Sequence, residues 1–169
     1  MQVDKPDFVT TSTNPSSSKR TVSWTSEFRN IINEYSDSPD ATFSFFVDCS
    51  GSMLPYREDI FAELNKLKNN RVKAYTYDFG GFKEGDRQGG GSQPFEEVLF
   101  NINRDYDSDI NVIVTDGEVL IDDSKIKAEL MDMKDQNRFV YVITSDKRLY
   151  KSLIQMISTV YLVDPAYVK

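Results

Sequence analysis

The chain has 169 residues, 39% of them hydrophobic and 12% aromatic, which suits one domain with a full apolar core and argues against overall disorder. Its 27 acidic against 20 basic side chains leave a net charge of −7, which excludes a nucleic-acid surface built on clustered Lys and Arg. A single cysteine excludes an intrachain disulfide, and the absence of histidine removes the commonest general base and nearly all zinc chemistry.

Residues 1–23 read as a flexible tail, because the stretch TTSTNPSSSKRTVS is rich in Ser and Thr and nearly free of large apolar side chains. The domain is expected over 24–169. Trp24, Phe28, Ile31, Ile32 and Tyr35 share one helical face, so a helix over 24–35 is expected to dock on the domain, with a partner-binding helix as its rival. From residue 42 onward, strand-like runs at 42–48, 72–79, 110–116, 138–144 and 159–164 are short and dense in β-branched and aromatic residues. Between them, Ile60, Leu64 and Leu67 have helical spacing, as do Ile126, Leu130 and Met133, and Leu149, Leu153 and Met156. Phe95, Val98, Leu99 and Ile102 mark a shorter helix after Pro94. This alternation predicts an α/β fold, a Rossmann-like three-layer αβα sandwich around a mainly parallel sheet. No apolar run approaches membrane-spanning length and no apolar signal core opens the chain, so a cytoplasmic protein without a membrane role is expected.

Ligands of such sheets bind beyond the C-terminal ends of the strands. Three segments place oxygens there: Asp48-Cys49-Ser50-Gly51-Ser52, the loop GGGSQPF at 89–95, and Thr115-Asp116-Gly117-Glu118. Together they offer two carboxylates, Asp48 and Asp116, and three neutral hydroxyls, Ser50, Ser52 and Ser92. Without histidine a metal must be held by oxygens, which selects Mg²⁺, Mn²⁺ or Ca²⁺. Few direct carboxylates would leave the cation able to attract an acidic group from outside.

Asp48 to Met53, DCSGSM, resembles the D-x-S-x-S pattern at the end of the first strand of von Willebrand factor A (VWA) domains. The resemblance covers residues 24–164. It implies a metal-ion-dependent adhesion site (MIDAS) completed by Ser92, in place of the family's usual Thr, and by Asp116. The GGGS and TDG segments, with the tryptophan-bearing helix ahead of them, look closest to the VWA-like domain of predicted bacterial metallopeptidase-type proteins. The zinc-binding helix of those relatives is missing, so no peptidase activity is implied. Partners of the AAA+ ATPase or assembly-complex kind are what the resemblance suggests.

Other readings of the same residues exist. Asp48, Ser50 and Ser52 could form an Asx-type turn capping the next helix. An EF-hand fails, because its required glycine would fall on Met53. GGGS is not a P-loop, since no Lys follows at the required spacing. Asp78 reads as a turn or helix cap, Glu118 as a solvated carboxylate beside the site, and Cys49 as a buried small hydrophobe. The leading expectation is a metal-dependent protein-binding module rather than an enzyme, with a partner Asp or Glu completing the metal's shell. The alternatives are a metal-assisted hydrolase of phosphate or ester bonds, with Glu118 or Asp78 as base, and an adaptor whose metal site is vestigial.

Overall fold

The computed structural model describes residues 21–86, 89–117 and 121–168. Its elements run β1 (Thr21–Val22), α1 (Phe28–Asn33), β2 (Phe43–Asp48), α2 (Leu54–Leu67), β3 (Val72–Asp78), β4 (Gly81–Glu84), α3 (Phe95–Asp105), β5 (Ile110–Thr115), α4 (Asp123–Asp135), β6 (Phe139–Thr144), α5 (Lys147–Leu153) and β7 (Val160–Val163). Short 3-10 turns at Gly51–Met53 and Pro165–Tyr167 precede α2 and follow β7.

The strands form one seven-stranded sheet in the order β1-β7-β6-β5-β2-β3-β4. All neighbours are parallel except β3 and β4, which form an antiparallel hairpin at the edge. Every residue of β2, β5 and β6 is buried, as expected of central parallel strands covered on both faces. One face packs Phe45, Val47, Val112, Val114 and Ile143 against Phe28 and Ile31 of α1 and Ile60 and Leu64 of α2. On the other, Phe46, Ile113 and Val142 meet α3, α4 and α5 through residues such as Leu99, Ile126 and Leu153. The chain is therefore the expected α/β three-layer sandwich.

The five strand-like runs all appear as strands, with ends within a residue or so of those expected. Two further strands were not expected. β1 takes Thr21 and Val22 out of the stretch assigned to the tail and pairs them with Leu162 and Val163 of β7. Residues 1–20 of that tail lie outside the described residues. β4 follows β3 through a two-residue turn, with Asp78 paired to Gly81. The first helix is also shorter than its periodicity implied: it covers Phe28–Asn33, while Trp24 precedes it. The expected docking holds, because Trp24, Phe28, Ile31 and Tyr35 are all buried. Trp24 packs on Tyr56 at 5.3 Å between ring centroids, and the Tyr35 hydroxyl lies 2.7 Å from that of Tyr141. Met156 lies just beyond α5 yet still packs on the core.

From β2 the chain crosses to β3 on one side, then returns to β5 on the other. The topological switch thus falls between β2 and β5, where a doubly wound sheet opens a crevice at its strand ends. Among the described residues, no helix is long and apolar enough to cross a membrane.

Candidate metal centre

Asp48 is the last residue of β2 and has no solvent exposure. Its carboxylate is held from three directions. Oδ1 accepts the Ser50 amide at 2.9 Å, and Oδ2 accepts the Thr115 hydroxyl at 2.7 Å and the Ser92 hydroxyl at 3.3 Å. The first of these is the Asx turn that local chemistry favours. The others come from the end of β5 and the loop before α3, so all three oxygen-bearing segments converge at the switch point.

Register explains the meeting of Asp48 and Thr115. β2 pairs with β5 through Val47 and Val114, so the next residues along both strands come side by side on one face of the sheet. Thr115 is buried, accepts the Gly117 amide at 2.9 Å, and so ties Asp48 to the loop carrying Asp116. Sequence reasoning placed Thr115 in the third segment without giving it a role. A threonine ending an apolar strand was the available signal, but its partner depends on strand pairing.

The serines of the first segment are not used as helix caps. Neither the 3-10 turn beginning at Gly51 nor α2 has a side-chain cap at its N-terminus. The Ser50 and Ser52 hydroxyls lie 3.2 Å apart instead. Ser50 is buried and Ser52 exposed, while Ser92 and Asp116 are half-buried. The oxygens therefore grade from a sealed floor at Asp48 to an open rim.

The glycine loop is shaped by close packing. A Cβ on Gly89 would lie 2.5 Å from Cys49 Sγ and 2.7 Å from Asp78 Oδ2, so only glycine passes there. Asp78 accepts the amides of Gly80 at 2.7 Å and Gly90 at 3.3 Å, the turn role expected of it. Its backbone carbonyl takes the Gln93 side-chain amide at 2.9 Å. These bonds hold the segment that carries Ser92 over Asp48. Cys49 is buried, with its thiol 3.0 Å from the Tyr77 carbonyl. Gly117, at φ +70°, packs so tightly on Asp146 that a Cβ would approach that residue's Cβ to 2.8 Å. Pro55 lies in the first turn of α2 and Pro94 at the cap of α3. Glu118 lies outside the described residues.

Electrostatically the floor is unbalanced. Burial pushes the Asp48 carboxyl above its ordinary range, opposed by the Thr115 and Ser50 hydrogen bonds, with the nearby negative charge of Asp116 pushing it further up. Asp48 makes no ion pair among the described residues. No group of three or more Cys, Asp or Glu side chains among them is placed to hold a metal ion by itself. A hard cation fits this donor set: two carboxylates give charge, hydroxyls give neutral oxygens, and the buried acid gains a counter-charge.

The fold and this rim define an αβα sandwich with oxygen-bearing side chains clustered at the switch point of its sheet. No protein-family model and no curated protein match the chain. Eleven chains of solved structures do. One is the manganese-loaded TRAP protein of Plasmodium vivax, at 16% sequence identity and a TM-score of 0.47, with 68% of this chain and 62% of that chain covered. This chain thus spans less than two thirds of that structure. The fold class stands on strand order and helix placement.

Proposed function

We propose that this domain binds a divalent cation at the switch-point rim and uses it to capture an acidic residue of a partner protein. Asp48, Ser50, Ser52, Ser92 and Asp116 would hold the ion, directly or through water, with Mg²⁺ as the expected metal and Mn²⁺ or Ca²⁺ as substitutes. When bound, the ion supplies a Lewis-acidic position left open toward solvent. This is the arrangement that the resemblance to VWA domains with a metal-ion-dependent adhesion site implies. The observation that carries the reading is a fully buried carboxylate, without an ion pair among the described residues, that accepts the Ser50 amide of its own turn and the Ser92 and Thr115 hydroxyls of two other segments.

The rim suits a protein partner. Leu54, two residues after Ser52, is 50% exposed, and Phe79 is 80% exposed. Phe79 sits against the glycine loop, its Cβ 3.4 Å from where a Gly91 Cβ would be. Exposed apolar side chains around a polar centre are the composition of an interaction surface. Binding rather than turnover is proposed, because Asp78, one of the two bases considered, spends its carboxylate on loop amides.

The test is calorimetric titration of Mn²⁺ and Mg²⁺ into wild type, Asp116→Ala and Ser50→Ala, with circular dichroism to verify the fold. Saturable heat in wild type, lost in folded variants, is expected. Absence of both heat and thermal shift in wild type would remove the metal and leave an adaptor role. An AAA+ ATPase or an assembly complex is the kind of partner to try first in EDTA-sensitive binding.

A further inference from the structure

Ser92 reaches Asp48 from the loop ahead of α3, and the residue after it is anchored on two sides. Gln93 is only 5% exposed, and its carboxamide is used at both ends. The amide nitrogen donates to the Asp78 carbonyl, at the end of β3, at 2.9 Å. The amide oxygen accepts from the Asn101 side chain of α3, also at 2.9 Å. The Asn101 oxygen in turn accepts from Arg104 at 3.1 Å. Arg104 is itself steadied by two bonds of 2.9 Å to the Asp105 carboxylate, with its guanidinium 5.1 Å from the centre of the Phe100 ring.

This relay can run in only one direction. A guanidinium only donates, so the Asn101 oxygen must face Arg104 and its NH₂ must face Gln93. A backbone carbonyl only accepts, so the Gln93 NH₂ must face Asp78. Both amides are oriented by their outer partners, and the bond between them satisfies both orientations. A buried amide paired at both ends resists displacement, because moving it leaves desolvated groups without partners. Ser92 needs such support: Gly89, Gly90 and Gly91 precede it, and glycine gives the backbone little stiffness of its own.

We infer that Gln93 is a positioning residue for the cation site. The relay from Arg104 through Asn101 fixes Gln93 against the end of β3, and Gln93 fixes the direction in which the adjacent Ser92 presents its hydroxyl. This deepens the metal-binding reading of the same rim and rests on it. Groups that orient a metal ligand without touching the ion change affinity by about 10–100-fold when they are removed.

Gln93→Glu separates positioning from charge. The substitution keeps the shape, but it sets a carboxylate oxygen against the Asp78 carbonyl and adds a negative charge beside the cation site. Charge alone would tighten Mn²⁺ binding, whereas a displaced Ser92 weakens it. Calorimetric titration of Mn²⁺ at neutral pH is expected to show about tenfold weaker binding in Gln93→Glu. A smaller loss is expected in Asn101→Ala, which cuts only the bonds on the α3 side. In a Ser92→Ala background Gln93→Glu should bring no further loss, since the hydroxyl it positions is gone. Equal or tighter binding in Gln93→Glu overturns the inference. So does the same loss with and without the Ser92 hydroxyl, which is what general loosening of the loop would give. Should circular dichroism show Gln93→Glu unfolded, Asn101→Ala with and without Ser92→Ala decides by the same criteria. Failure of the metal reading shows separately, as wild type giving no Mn²⁺ heat.

Discussion

Asp48 carries opposing demands. Its carboxylate is sealed from water and accepts three hydrogen bonds, yet among the described residues no Lys or Arg balances its charge. Burial raises its pKa, so the folded state binds its proton more tightly than the unfolded chain does. The contribution to stability therefore declines as pH rises from the ordinary value near 3.8 through the elevated folded one, and the penalty is complete above it. Replacing the charge by an isosteric amide removes that penalty. Asp48→Asn should melt no lower than the metal-free wild type at neutral pH and should show no Mn²⁺-induced rise, as read by differential scanning fluorimetry. A substantially lower melting temperature in the metal-free variant would mean the charge itself holds the loops together. Thr115 shows why the site was only partly legible: its hydroxyl is the shortest contact to Asp48, but nothing local links two residues so far apart in the chain.

Elements set the positions of these side chains with different degrees of transparency. The central strands were readable because β2, β5 and β6 are apolar throughout and bounded by turns. β4 was not, since GFKE has too few residues to show a pattern and becomes a strand only through its hairpin with β3. The spacing from Trp24 to Tyr35 correctly marked a buried face but overstated the helix, because a side chain can be buried from a turn as readily as from a helix. The glycine loop is the element whose geometry is most open to test. Gly89→Ala forces a methyl group onto Cys49 and Asp78, whereas nothing lies within 4 Å of a Cβ on Gly90. Gly89→Ala is expected to cost about 1–3 kcal/mol by overpacking and to weaken Mn²⁺ binding by displacing Ser92. Gly90→Ala should do much less on both counts. Equal effects in urea melts and Mn²⁺ titrations would show that close packing does not position the loop.

Across the whole molecule, a cation that binds only the folded state stabilises it by mass action. At a hundredfold excess over its dissociation constant the gain is about 2.7 kcal/mol. For a domain of this size that corresponds to a rise in Tm of about 5–10 °C. Protons compete for the same oxygens, and Asp48 holds its proton to higher pH than an ordinary carboxylate. The Mn²⁺-induced rise should therefore be smaller at pH 5 than at pH 7 and reversed by EDTA, both readable in thermal melts. A rise as large at pH 5 would point to ions bound elsewhere on this acidic surface, and one surviving EDTA to a cause other than bound metal.

Composition and periodicity were sufficient by themselves for the αβα class, the parallel core and the three oxygen-bearing segments. Those follow from local preferences: apolar strands seek burial on both faces, and Asp, Ser and Gly gather where strands turn. Pairing decided the rest. The β2–β5 register set Thr115 beside Asp48, and Asp78 and Cys49 fixed the path of the glycine loop. Contacts between distant parts of the chain leave no local pattern, because each side chain is chosen for a neighbour that only the folded sheet supplies.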